Sequence, residues 1–131
     1  MADLAIESNR YFLHGNRYFE NKQYDKAIIS YTRAALLSEP NEKIYHSIAM
    51  SYYLKGDYSG ALKNFEIAIS IQPDFCLAYH GWGVCLSELG KYDEAVLKFK
   101  KAVEIDPNCS LASVNCNWHF TCKKRNQRLK M

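Results

Sequence analysis

What the chain lacks narrows its function first. Its 131 residues contain no glycine-rich phosphate loop, no G-x-S-x-G, no H-E-x-x-H and no paired acidic motif placed for metal or acid-base work. Catalysis is therefore not expected, and no catalytic residue, cofactor or metal is assigned. Nowhere does an apolar run approach membrane-spanning length. The start, Met1-Ala2-Asp3-Leu4-Ala5-Ile6-Glu7, has early acids and no apolar stretch long enough for a secretion signal, so the expected compartment is the cytoplasm or the nucleus. Cysteine is present, at Cys76, Cys85, Cys109, Cys116 and Cys122, but in odd number and without C-x-x-C spacing. That argues against a disulfide framework and for reduced thiols. With 48% hydrophobic and 24% charged residues the composition is ordinary for a folded protein, and disorder is not expected.

What is present is a period. Gly15, Ala49 and Gly83 are spaced by 34, as are Ala27, Ala61 and Ala95, and Ala34, Ala68 and Ala102. Large residues keep the same step: Tyr24, Tyr58 and Tyr92, then Tyr31, Phe65 and Phe99. Within each copy two helical patterns flank a polar break. Tyr45, Ile48, Ala49 and Tyr52 follow one helix face, and Ala61, Phe65 and Ala68 do so after Lys55-Gly56-Asp57. Helix, turn, helix is the simplest reading. Small residues let paired helices cross closely, and Gly83 is expected to face Ala95. Pro73 and Pro107 are expected to end their helices, leaving Asp74 and Asn108 as polar starts for the next. Pro40 falls one place late, which predicts a longer helix or a shifted first turn there.

The third copy reads Trp82-Gly83, Leu86, Gly90, Tyr92, Glu94-Ala95, Phe99, Ala102, Asp106-Pro107. With its period of 34 the chain resembles the tetratricopeptide repeat family. The likeness spans three repeats, about 8–41, 42–75 and 76–109, in one domain, with a capping helix at about 109–126 and a basic tail at 123–131. The resemblance implies an all-α fold of antiparallel hairpins stacked as a right-handed superhelix, the first helix of each pair lining a concave groove. His14 stands where the family has Leu or Ile and is expected in the core.

A second stripe accompanies the packing stripe on these first helices: Phe12, Leu13, Asn16 and Phe19; His46, Met50, Tyr53 and Leu54; Leu77, His80, Gly81 and Val84. So much apolar surface facing water calls for a cover. The expected function is a noncatalytic adaptor that binds a peptide or helix with apolar anchors, with Phe12, Asn16, Phe19, His46, Met50, Tyr53, Leu77, His80, Val84 and Trp118 as contacts. Leu13 and Leu54, taken singly, fit the core as well as the groove. Trp118, on the capping helix, extends that surface or joins two copies, so self-association is the alternative, as is a fragment of a larger scaffold.

Chaperone-binding members of the family hold carboxylates with Lys and Asn on the first helix, Asn on the next groove helix, and Lys and Arg on the third. The matching positions here are Phe12, Asn16, Ser47, Leu77 and Gly81, and Asn16 alone keeps the type. The expectation drawn from this is no tight binding to the carboxylate tails of heat-shock chaperones. Cys109, Cys116, His119 and Cys122 lie close in sequence but converge poorly for a metal. Lys123, Lys124, Arg125, Arg128 and Lys130 carry the positive charge of an otherwise slightly acidic chain. They are read as a solubilising helix end rather than a nucleic-acid site.

Overall fold

A computed structural model describes residues 2–107. It contains six helices: α1 (Ala2–Glu20), α2 (Tyr24–Leu36), α3 (Glu42–Lys55), α4 (Tyr58–Ile71), α5 (Cys76–Glu88) and α6 (Tyr92–Ile105). No strand occurs among the described residues. The chain divides into two compact units between Pro73 and Asp74, the first holding α1 to α4 and the second α5 and α6.

The same closure ends the first helix of every pair. The Lys22 N–H donates to the Phe19 carbonyl and the Gln23 N–H to the Tyr18 carbonyl; Gly56 and Asp57 repeat this with Tyr53 and Tyr52, and Gly90 and Lys91 with Ser87 and Leu86. These paired bonds satisfy carbonyls left open at a helix end and need one residue in the left-handed region. Gly56 (φ 96°) and Gly90 (φ 82°) supply it, and Lys22 (φ 62°) stands in the same register without glycine's freedom. Asp57 then caps α4, its Oδ1 accepting from the Gly60 N–H at 3.0 Å.

Pro73 and Pro107 act as expected: the preceding residues, Gln72 and Asp106, are extended and end α4 and α6. The late Pro40 does not lengthen its helix. Instead α2 stops at Leu36, one residue short of the register of α4 and α6, because the Leu37 N–H tightens onto the Ala34 and Arg33 carbonyls. Asn41 then caps α3. Asp74 does not cap α5, which begins after Phe75 with no side-chain cap bond.

In the first unit, Ala27, Tyr31 and Ala34 of α2 form one buried cluster with Ile44 and Ile48 of α3, so the second hairpin packs on the first. Ser8 adds a buried tie, its Oγ donating to the Ala34 carbonyl at 2.8 Å. His14, expected in the core, is exposed. Its register mate Ile48 is covered by α2, whereas no hairpin stands before α1 among the described residues. Leu13 and Leu54 are also exposed, at 51% and 44%.

The close helix approach is real, but its partner differs from the expected one. A Cβ on Gly83 would stand 2.8 Å from the Phe99 ring rather than against Ala95, and one on Gly15 would stand 2.6 Å from the Tyr31 ring. The Tyr31 hydroxyl donates to Asn16 Oδ1 at 2.6 Å, which tethers that ring, while Phe99 has no hydroxyl to hold it. Gly15→Ala is thus expected to lose about 2 kcal/mol and Gly83→Ala about 1, overpacking outweighing the gain in helix propensity. Urea denaturation checks this, and a stabilised Gly15→Ala protein would contradict it.

Candidate peptide-binding faces

Each first helix places its second-stripe residues on one side by spacing alone. Phe12, Asn16 and Phe19 are i, i+4, i+7 on α1, as are His46, Met50 and Tyr53 on α3. In the second unit, Leu77, His80 and Val84 are i, i+3, i+7 on α5. All nine are partly buried, so the stripe is recessed rather than the open apolar patch the sequence suggested. Trp118, the capping helix at 109–126, the Cys109, Cys116, His119 and Cys122 group and the tail at 123–131 lie outside the described residues.

The recess has a structural cause that recurs with the repeat. Phe12 lies 5.5 Å from the buried Tyr31 ring, His46 lies 5.7 Å from Phe65, and His80 lies 6.1 Å from Phe99, ring centre to ring centre. Each second helix thereby sets one buried aromatic against the same register position of the stripe. Phe19 is edge-on to Tyr24 at 5.7 Å and Tyr53 is tilted on Tyr58 at 5.6 Å. Phe12 and Phe19 also pack against the first buried cluster, and Leu77 packs on Ala102 of α6. These side chains are held in place, which lowers the entropy cost of ordering them against a ligand.

The polar groups among them are tuned by burial. Burial lowers His46 from 6.5 to about 4, leaving it a neutral imidazole at physiological pH. Burial also pushes Tyr31 up to about 12, so it remains a donor to Asn16. That bond turns the Asn16 oxygen toward Tyr31 and leaves its amide N–H groups to donate elsewhere. Cys85 is fully buried; burial, with the charge of Glu88, raises its thiol to about 12, which removes it as a nucleophile. Among the described residues no cluster of His, Cys, Asp and Glu could hold a metal ion, and no helix is long and apolar enough to cross a membrane.

One feature was missed by sequence reasoning. A cavity of about 330 Å³ opens between α1, the α2–α3 loop and α3, with Asn9, Phe12, Asn41, Lys43 and Ile44 in its lining. Asn9 and Lys43 are the register mates of Leu77, which the stripe did include; the period could have found them.

Helical hairpins that recur every 34 residues, each presenting a recessed stripe on its first helix, define a helical-repeat interaction module. The family profile for the tetratricopeptide repeat matches residues 8–41, 42–75 and 76–109, and the chain belongs to that family.

Among its relatives is Heat shock protein STI1 of Saccharomyces cerevisiae, 34% identical over 104 residues, covering 79% of this chain and 18% of that protein. The Small glutamine-rich tetratricopeptide repeat-containing protein 2 of the same yeast is 29% identical over 130 residues, covering 99% of this chain and 38% of that protein. The chain thus spans less than half the length of either. Among solved structures, the second TPR domain of human RPAP3 in complex with HSP70 peptide SGPTIEEVD superimposes with a TM-score of 0.77 at 25% identity. That match covers 90% of this chain and 96% of the other.

These findings correct the expectation that excluded heat-shock chaperone tails as partners. A domain of the same family and fold is solved with such a tail bound, and a heat-shock protein is among the relatives. The exclusion rested on five positions, three of them held by cations in the chaperone-binding members; only Asn16 keeps its type here. The peptide SGPTIEEVD also carries Ile and Val side chains beside its acids, which a reading of those five positions leaves out.

Proposed function

We propose that this chain is a noncatalytic adaptor, the three repeats acting with the segment at 109–126 as one domain in the cytoplasm or nucleus. The α1 and α3 stripes of the first unit, and the α5 stripe of the second, each take apolar anchors of a partner peptide, and acidic C-terminal tails of heat-shock chaperones are the first ligands to try. Phe12, Asn16, Phe19, His46, Met50, Tyr53, Leu77, His80 and Val84 are the proposed contacts, with Trp118 a further one. The observation that carries this reading is the repeated seating of Phe12, His46 and His80 on buried rings. It keeps one ring, a phenyl or an imidazole, recessed yet partly exposed at the same position of each hairpin.

Calorimetric titration with SGPTIEEVD is expected to give a dissociation constant of about 10 μM. Met50→Glu, which sets a carboxylate in the α3 stripe, is expected to weaken it about tenfold while the helical circular dichroism stays unchanged. Equal binding by the native and Met50→Glu proteins would remove the α3 stripe from the reading. Concentration-independent mass in solution would separate the adaptor from a self-associating module.

A further inference from the structure

The cavity between α1 and α3 has a chemistry of its own. Its floor is apolar, with Ile44 buried and Phe12 seated on Tyr31. Its polar rim joins donors at Lys43 and Asn41 to the hydroxyls of Ser8 and Ser38 and the amide of Asn9; the Ser38 hydroxyl donates to the Glu39 carbonyl at 3.0 Å. Asn41 Oδ1 is taken by the Lys43 backbone N–H at 2.9 Å, which leaves the Asn41 amide N–H groups to donate. The Ser8 hydroxyl is spent on the Ala34 carbonyl, and Asn9 is exposed at the edge. Lys43 is exposed and makes no ion pair among the described residues. None of the lining residues is acidic. Glu42 adjoins Lys43 in sequence, but consecutive residues on a helix do not face each other.

We propose that this cavity is a subsite for an acidic peptide, in which Lys43 meets a peptide carboxylate while Phe12 and Ile44 receive the apolar side chain next to it. The inference rests on the adaptor reading above and adds where the charge is recognised. The ligand class follows from the rim: a carboxylate matches an unpaired ammonium and two amide donors, and an apolar neighbour matches the floor. Phe12 of α1 and Lys43 of α3 line the same cavity from successive hairpins.

The test is fluorescence anisotropy with labelled SGPTIEEVD and its uncharged counterpart SGPTIQQVN carrying a C-terminal amide. Lys43 is exposed, so Lys43→Gln is expected to fold normally. It should bind the acidic peptide about fivefold more weakly and with a shallower salt dependence, while Lys43→Arg stays within about twofold of native. The uncharged peptide should not distinguish native from Lys43→Gln. If the native protein binds SGPTIEEVD and Lys43→Gln binds it equally, the subsite is wrong and the adaptor reading stands. If the native protein fails to bind SGPTIEEVD at about 1 mM, the subsite falls together with the chaperone-tail ligand. Binding of the uncharged peptide alone would then preserve the apolar stripe.

Discussion

Phe65→Ala is expected to destabilise the protein by about 3 to 5 kcal/mol, enough to abolish much of the stability of a domain this size. Phe65 is completely buried on α4, between Ala61 and Ala68, which are also completely buried. When a large ring leaves a site bordered by long, flexible side chains, they can fold into the space. Alanines cannot, so a cavity should persist and the cost should lie toward the upper end. Phe65→Leu, which keeps most of the volume, should cost about 1 kcal/mol. The loss reaches function through His46, whose ring rests on Phe65 at 5.7 Å. A folded Phe65→Leu protein should therefore bind peptide more weakly while remaining close to native in stability. Urea denaturation and peptide titration on the same samples check both parts; a Phe65→Ala cost under about 1 kcal/mol would refute the packing argument.

Acidification should reveal His46 as a second large effect. Burial holds it at about 4 in the folded protein, against an ordinary value of 6.5. Between these values the unfolded chain binds a proton that the folded one does not, so stability must fall as pH drops from about 6.5 to about 4 and level off below. The loss from this group is at most about 3 kcal/mol. His46→Phe copies the ring found at Phe12 in the preceding repeat and should flatten the slope in that window. Denaturation midpoints for both proteins at several pH values decide the matter, since carboxylates titrate equally in the two and cancel in the difference. Parallel slopes would mean that His46 binds its proton as readily in the folded as in the unfolded chain, which would refute the burial argument.

The same two helices show how far sequence reading reached. The spacing of 34 gave the hairpins, their order and the turn at Gly56, because each copy must solve the same local problem with the same residue types. It placed the ring positions 31, 65 and 99 without revealing what they touch. Gly83 was matched to Ala95 because both are small, whereas the atoms nearest to a Cβ at Gly83 belong to the Phe99 ring. Size complementarity across helices depends on their crossing, which periodicity along one chain does not contain. His14 shows a related limit. A repeat register says that positions 14 and 48 are equivalent, but Ile48 is buried by α2 before it, and α1 has no such neighbour among the described residues.

By itself, then, the sequence determined the family, the helical pairs and which residues share a face, since these follow from backbone geometry at fixed spacing. Tertiary structure decided how deep that face lies and what surrounds it: buried rings against Phe12, His46 and His80, and Lys43 brought from another hairpin to the cavity that Phe12 lines. The physical reason is that burial and charge environment are set by contacts between residues far apart in the chain. Local propensity and period fix the helices but leave those contacts to packing.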